Sequence, residues 1–422
     1  MVHSVYYSEI CIIGKENIPP KSPVIFAPNH QNALMDALAI LLLIDKQPVF
    51  MARADIFKQK TTSKILHFLK IIPVFRIRDG VSSLSNNNES FGIALRALGY
   101  GQPVGIMPEG NHGDQHLLRP LKKGLVRFAL NAQENFGTTT PVYIVPVGLE
   151  YSHYSKFREK LLVIFGKPIN VAEYLSAYKE NPQLAFNSLR ERLAGEMKKN
   201  MLHIDNPKFY SLILDIKDLY APILQQKQKL EDTYAFRFLV EKQITERLVS
   251  LANENPAQME SLFYDVENYL NKLERFKVDD DVFDYQVPPR KELVIDVLRY
   301  LFFLPFFALG AAVNYIPYFV CTYVSNGVKD TQFRSSFKLV LIAFLFPLWY
   351  LLFLVLPIPL FTKVIMLVPL PILGILSYDY FQGLKKQLKR LNYFWMLRKK
   401  DPELTTLRQL RAKIFSTLEP LF

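Results

Sequence analysis

Over residues 1–201, short apolar runs alternate with amphipathic stretches. Residues 6–14 alternate loosely and pass into Gly-Lys-Glu-Asn-Ile-Pro-Pro, a strand followed by a loop. Residues 23–27, PVIFA, form a short apolar run of the buried-strand type. After Pro28-Asn29-His30-Gln31-Asn32 comes ALMDALAILLLI, a helix with Asn32 placed to cap it. The rhythm continues with strands at 48–51, 71–75, 103–107, 141–148 and 161–165, and with helices at 62–70, 90–98 and 124–135. Strands separated by helices predict an α/β domain whose central, mostly parallel sheet is flanked by helices.

Beyond residue 201 the period changes. Residues 207–275 are polar and helical in period, with an amphipathic stretch at 230–251 that Asn255-Pro256 ends. Residues 276–289 combine Asp279, Asp280 and Asp281 with prolines and read as a linker. The chain then turns apolar. Residues 294–324 still contain Asp296, Arg299, Asn314, Pro305 and Pro317, whereas 339–356 carry no charge and 358–376 carry only Lys363. Each of the last two is long enough to cross a hydrocarbon core of about 30 Å. Lys385, Lys386, Lys389, Arg390, Arg398, Lys399 and Lys400 follow as a basic tail.

The expected organisation is an α/β domain over 1–201, a helical region and linker over 202–290, a membrane-embedded region with transmembrane helices over 291–381, and the tail over 382–422. If both ends are cytoplasmic, the number of crossings is even. Residues 339–356 and 358–376 are then expected to form a spanning hairpin, with 294–324 in the interface or re-entrant. Pro305 and Pro317 would kink that segment, and its polar residues are costly in lipid. The basic tail is expected to add attraction to anionic membrane lipid.

Composition narrows the partners. Half of the 422 residues are hydrophobic and the net charge is +12, while the mean hydropathy is +0.08. A positive excess suits nucleic acid or an anionic membrane surface. The apolar C-terminal third favours the membrane, and there are no paired Cys/His ligands or aromatic RNP-like strand for nucleic acid. Cys11 and Cys321 lie far apart, so no disulfide framework or cysteine zinc site is readable. The N-terminal segment lacks a charged region followed by a long apolar core, so the catalytic part is expected in a reducing compartment, on the cytoplasmic side.

Four blocks carry candidate chemistry. His30, with Asp36 in the first turns of the next helix, has the residue types of a base and its orienter. The carboxylate would hold one ring N–H and stabilise the imidazolium. No Ser or Cys stands beside them as a nucleophile, which favours direct attack by a substrate hydroxyl. A loop His and a dipole-favouring Asp are the plain alternative. In Phe75-Arg76-Ile77-Arg78, two alternating guanidiniums suit phosphate, or form a solvated strand end. Met107-Pro108-Glu109-Gly110-Asn111-His112-Gly113-Asp114 makes a tight loop after a strand, in which Glu109 suits acceptor hydroxyls or a cation. His112, Asp114 and His116 fit no standard zinc spacing, and no metal is expected. Arg119, Lys122 and Lys123 precede a helix near Gly124 and suit an anion, or form a solvated turn. The fourth block, Ile144-Val145-Pro146-Val147-Gly148, is a strand whose internal proline belongs at an edge or an irregular end.

In this order the four blocks resemble the glycerol-phosphate and lysophosphatidate acyltransferase superfamily. Asn29-His30 through Asp36 is similar to its His-four-residues-Asp motif, and Pro73–Arg78 to its Gly-x-Ile/Val-Phe-x-x-Arg block. Met107–His112 is similar to its Phe-Pro-Glu-Gly-Thr-Arg block, and Val145-Pro146-Val147 to its Val-Pro-Val. The resemblance covers about residues 1–200. It implies His30 and Asp36 as the catalytic pair and Arg76, Arg78, Glu109, Gly110, Lys122, Lys123 and Pro146 as the substrate-binding set. It also implies acyl-CoA or acyl-carrier protein as donor, and no cofactor. Glycerol-3-phosphate is the first acceptor; 1-acylglycerol-3-phosphate, dihydroxyacetone phosphate and lysophospholipids are the alternatives. The setting would be a membrane, such as a bacterial inner membrane.

Two departures matter. Five residues, not four, separate His30 from Asp36. An added residue turns an ideal helix by about 100°, so His30 must lie in the loop before it. A subgroup of bacterial and fungal glycerol-3-phosphate/dihydroxyacetone-phosphate acyltransferases carries this spacing, and Phe333-Arg334-Ser335-Ser336-Phe337-Lys338 is similar to that subgroup too. The third block has Asn111-His112 where the family has Thr-Arg, so Arg76, Arg78 or Lys122 would have to meet a phosphate. A thioester hydrolase and an inert lipid-binding membrane protein are the readings of other classes. The second predicts loss of His30, Asp36 or Glu109, and all three are present.

Overall fold

A computed structural model describes residues 6–41, 43–75, 86–111, 113, 115–284, 290–355, 357, 359, 361, 363, 367 and 369–422. The chain forms two compact units. The first comprises Met1–Ile204, Glu231–Lys242 and Asp330–Ser336, the second Asp205–Leu230, Gln243–Lys329 and Phe337–Phe422.

The first unit is built on one sheet: β1 (Glu9–Ile13), β2 (Val24–Pro28), β3 (Val49–Arg53), β4 (Ile71–Val74), β5 (Val104–Ile106), β6 (Tyr143–Tyr151), β7 (Lys160–Phe165) and β8 (Ile169–Asn170). The order is β1-β7-β6-β2-β5-β3-β4, with β8 beside β6. Strands β6, β2, β5, β3 and β4 are joined in parallel, and so are β1 and β7. Strands β7 and β8 meet β6 antiparallel. The α/β expectation holds: helices α1 (Leu34–Leu41), α2 (Lys60–Phe68), α3 (Asn86–Gly99) and α4 (Lys123–Phe136) separate the parallel strands.

Strands covered on both faces must be apolar throughout rather than alternating. Every residue of β2 is buried, as is β6 after Tyr143. Ile25, Ala27, Val104 and Ile144 share one core with Leu125, Phe128 and Ala129 of α4. Residues 166–201, which the apolar pattern does not mark, add β8, α5 (Leu175–Glu180) and α6 (Pro182–Lys199). Helix α6 starts where the Asn181 side chain accepts from Leu184 N–H at 3.2 Å, with Pro182 behind it.

Pro146 is not on an edge strand. It pairs with Ala27 of β2 on one side. On its other side β6 changes partner, from β8 at 143–144 to β7 at 147–151. The Pro146 carbonyl accepts from Gly166 N–H at 2.8 Å in that changeover. In a strand the N–H and C=O of one residue face the same neighbour, so the missing N–H falls where the ladder is interrupted anyway.

The remaining elements are helical: α7 (Tyr210–Lys227), α8 (Tyr234–Glu254), α9 (Pro256–Phe276), α10 (Arg290–Asn326), α11 (Arg334–Leu351), α12 (Pro369–Arg398) and α13 (Pro402–Leu418). Two stretches, Val294–Asn326 and Thr331–Val355, are long and apolar enough to cross a membrane, at 33 and 25 residues. The first contains the stretch expected to be kinked and interfacial or re-entrant. Pro305 and Pro317 lie inside one continuous helix. Pro317 cannot donate to the Val313 carbonyl four residues back, and Trp349 Nε1 donates to that carbonyl instead, at 2.9 Å. Asn314 is likewise satisfied: its Nδ2 donates to Gly310 O at 2.9 Å and Leu370 O at 3.2 Å, and its Oδ1 accepts from Tyr350 Oη at 2.6 Å. Part of 358–376 falls outside the described residues, and its last part opens the 30-residue α12.

The linker and basic tail also differ from expectation. Asp280–Phe283 is a turn of 3₁₀ helix. Lys389 pairs with Asp279 at 2.7 Å, Lys386 with Asp281 at 2.8 Å, and Arg411 forks onto Asp280 at 2.8 and 3.0 Å. The tail is folded, with Leu404, Leu407, Ile414 and Leu418 of α13 buried. Several charges assigned to lipid are thereby engaged by carboxylates within the second unit.

Candidate active site

Parallel strands bring their carboxyl ends to one edge, where open α/β sheets place ligands. Here β2 runs into His30, β3 ends at Arg53, β4 precedes Arg76, and β5 runs into Glu109. The chain must leave the sheet cleanly after Pro28. Asn29 achieves this by acting as a substitute peptide group. Its Oδ1 accepts from Leu149 N–H at 2.7 Å and its Nδ2 donates to Leu149 O at 3.1 Å. The β2–β6 ladder therefore closes on a side chain, and His30 begins the loop. Helix α1 starts only at Leu34, so His30 does lie before it.

His30 Nδ1 is 2.9 Å from Asp36 Oδ2. A carboxylate there selects the tautomer with the proton on Nδ1, which makes Nε2 the lone-pair nitrogen. Asp36 is 0% exposed, and a buried carboxylate must be fully hydrogen-bonded. Its Oδ2 also accepts from Gln31 N at 2.9 Å and Asn32 N at 2.7 Å, and its Oδ1 accepts from Tyr151 Oη at 2.8 Å. Burial, then the Asp36 charge, pushes the Tyr151 hydroxyl well above its ordinary range. It therefore stays protonated as a donor. The expected Asn32 cap takes another form: Asp36 caps the loop amides, while the Asn32 side chain donates to Tyr154 O at 3.2 Å.

The third block supports the first. Glu109 is 3% exposed. Its Oε1 accepts from His30 N at 2.9 Å, and its Oε2 accepts from Arg119 N at 3.2 Å and Arg119 Nε at 2.8 Å. Arg119 also donates to His30 O at 3.0 Å and to Asn111 O, and Gly113 N donates to His30 O at 3.1 Å. Both Glu109 oxygens, expected to meet substrate, thus accept from protein donors. Gly110 turns the loop at φ 71°, and a Cβ there would sit 3.0 Å from Lys122 Cγ. Lys122 N donates to Pro108 O at 2.7 Å and its side chain is exposed beside α4. Lys123 is exposed as well, with Nζ 3.3 Å from Gln183 Oε1.

The structure therefore gathers His30, Asp36, Glu109, Gly110 and Lys122, with Pro146 buried one strand away and Lys123 at the helix start. Arg76 and Arg78, together with His112 and Asp114, lie outside the described residues. His116 pairs with the buried Glu150 at 3.4 Å, and its ring packs on Tyr154. Among the described residues no cluster of His, Cys, Asp and Glu could hold a metal. Sequence reasoning did not single out Tyr151 or Tyr154, and it named Asn29 and Arg119 without the clamping contacts they make. The only signal of the tyrosines is position, at and just after the end of β6.

Residues 9–150 match the model of a family described as Acyltransferase. Over 139 residues the chain is 30% identical to Glycerol-3-phosphate O-acyltransferase 2 of Saccharomyces cerevisiae, covering 33% of this chain and 19% of that protein. Over 167 residues it is 25% identical to the 1-acyl-sn-glycerol-3-phosphate acyltransferase of Bacillus subtilis, covering 39% of this chain and 75% of that protein. The crystal structure of the 1-acyl-sn-glycerophosphate acyltransferase of Thermotoga maritima is similar at 19% identity, with a TM-score of 0.32, over 47% of this chain and 75% of that one. The yeast match thus spans about a fifth of that relative's length.

Proposed function

From the match of residues 9–150 to the acyltransferase family model, we propose that the protein transfers a fatty acyl group from an acyl thioester to a hydroxyl of a glycerol-phosphate acceptor. The observation that carries this reading is the His30–Asp36 pair at 2.9 Å, with Asp36 held by four donors. His30 Nε2 takes the proton of the acceptor hydroxyl as its oxygen attacks the thioester carbonyl. The tetrahedral oxyanion collapses, the C–S bond breaks, and the imidazolium returns its proton to the thiolate. An ester and a free thiol result. Asp36 stabilises the imidazolium, while Glu109 and Arg119 fix the His30 backbone. Lys122, Lys123, Arg76 and Arg78 supply positive charge for the acceptor phosphate.

Glycerol-3-phosphate is the first acceptor, in line with the yeast relatives, which are glycerol-3-phosphate O-acyltransferases. The Bacillus and Borreliella burgdorferi relatives favour 1-acylglycerol-3-phosphate as the second. The test is purified full-length protein with acyl-CoA or acyl-carrier protein and a panel of glycerol-3-phosphate, dihydroxyacetone phosphate, 1-acylglycerol-3-phosphate and lysophospholipids. We expect acceptor-dependent ester formation matched by thiol release. Thiol release without ester would identify a hydrolase and refute the proposal.

We propose that this reaction takes place at a membrane, a reading the two long apolar stretches support, with the catalytic unit on the cytoplasmic face. Asp330–Ser336 belongs to the same unit as His30, and no long apolar run separates residue 204 from residue 290. We therefore expect α10 to lie in the interface rather than to cross, although its length would allow a crossing. A topology reporter fused at Asp330 should be active on the cytoplasmic side; activity only on the opposite face would refute this arrangement.

A further inference from the structure

Asp330–Ser336 follows α10 directly and includes the first residues of α11, yet it is part of the first unit. Ser335 Oγ donates to Asn32 Oδ1 across 303 residues of sequence. Both residues are 1% exposed. Asn32 is one of the amides that hold Asp36: its N–H reaches Asp36 Oδ2 at 2.7 Å, and its Nδ2 donates to Tyr154 O at 3.2 Å. The next residue, Ala33, sits at φ 45°, in the left-handed region that a residue with a Cβ rarely adopts. A loop with that conformation has to be held from outside. Asp36, Tyr154 and Ser335 each take one polar group of Asn32, and together they fix its backbone and its side chain.

We propose that Ser335 is a positioning residue for the catalytic pair, delivered to the site by the segment between the two apolar stretches. Its hydroxyl fixes the Asn32 side chain. That keeps the Asn32 N–H on Asp36 and Asp36 on His30 Nδ1. The neighbouring Ser336 is a control supplied by the fold. It is 4% exposed, and its Oγ has no hydrogen-bond partner. Losing the Ser336 hydroxyl removes buried volume without touching Asn32.

The rate consequence rests on the acyl-transfer reading, but the positioning role does not. Two readouts on the full-length protein separate them: steady-state acyl transfer, and hydrogen–deuterium exchange of the amides over residues 29–36. Ser335→Ala should lower kcat about tenfold, the scale of one lost buried hydrogen bond, with acceptor KM changed less than about twofold. It should also speed exchange at Gln31 and Asn32. Ser335→Thr, which keeps the hydroxyl, should restore both, and Ser336→Ala should change neither. Unchanged exchange and unchanged kcat in Ser335→Ala would overturn the proposal. So would a Ser336→Ala variant that matches Ser335→Ala, since packing alone would then account for the effect. If the wild-type protein acylates none of the acceptors, the functional reading fails, and the exchange data still decide the role of Ser335.

Discussion

Replacing Asp36 with asparagine separates its charge from its shape. The Asp36 carboxylate accepts three N–H donors on Oδ2 and the Tyr151 hydroxyl on Oδ1. An asparagine can keep its carbonyl oxygen toward the three N–H groups and turn its amide toward Tyr151, whose hydroxyl can rotate to accept. The loop geometry survives, and the negative charge that stabilises the His30 imidazolium is lost. Each of the four bonds falls from charged to neutral strength, roughly 1 kcal/mol apiece. The desolvation penalty of a carboxylate that is 0% exposed disappears at the same time, so the net stability change is small. The reaction has no such offset. General-base assistance is worth about 10²–10⁴-fold, or roughly 3–5 kcal/mol of barrier. We expect Asp36→Asn to lower kcat by that factor in a continuous thiol-release assay with ester quantified in parallel. Thermal denaturation should stay near wild type. Asp36→Ala should behave differently, because it strands buried donors at about 1–3 kcal/mol each and should melt well below wild type. An Asp36→Asn protein that keeps more than about a third of wild-type kcat would refute the base–orienter reading.

Three further outcomes are expected. His30→Ala should lose transfer by about 10²–10⁴-fold while its melting temperature holds, because the ring is partly exposed and packs little core; near-wild-type turnover would exclude His30 as the base. Glu109→Gln should lower both kcat and melting temperature, because one oxygen cannot serve His30 N and Arg119 together; an effect on acceptor KM alone would return Glu109 to the substrate. Burial raises the Glu9 carboxyl, but Lys160 at 2.6 Å, the Tyr234 amide and the Cys11 thiol outweigh it and hold it at about 2 against an ordinary 4.5. A carboxyl held low in the folded state contributes stability above pH 4.5 and loses it as pH falls toward 2. Melting temperature should therefore fall over that window, and Glu9→Gln should flatten the fall.

The sheet was legible because its central strands, β2 and β6, are buried throughout or nearly so and the apolar runs are bounded by Gly, Pro and Asn. What escaped was set by tertiary partners. β8 is two residues long and carries no period. Pro305 and Pro317 read as kinks because a helix alone has no substitute for the lost donor; for Pro317 that substitute is Trp349, thirty-six residues from Val313. Asn314 read as costly in lipid until Gly310, Leu370 and Tyr350 supplied its partners. The base and its carboxylate were legible because they are local, six positions apart. Ser335 was not, because its tie to Asn32 spans most of the chain.

The same distinction explains the odd third block. Where the family motif continues with Thr-Arg, this chain has Asn111-His112, and the sequence suggests that a guanidinium is missing. The described residues place one there from further along the chain. Arg119 reaches Glu109 at 2.8 Å, His30 O at 3.0 Å and the Asn111 carbonyl. A guanidinium is a planar fork with five donors, and Arg119 shares them among the Glu109 carboxylate, the Asn111 carbonyl and the carbonyl of the base, His30. Its charge also neutralises Glu109, which at 3% exposure would otherwise be a costly buried carboxylate. The glutamate can then hold the His30 N–H without raising the energy of the loop. The first and third blocks are one hydrogen-bonded object, and in the proposed reaction an acceptor phosphate would be met by cations outside it, such as Lys122. A motif read residue by residue misses this, because Arg119 reaches Glu109 across nine intervening residues.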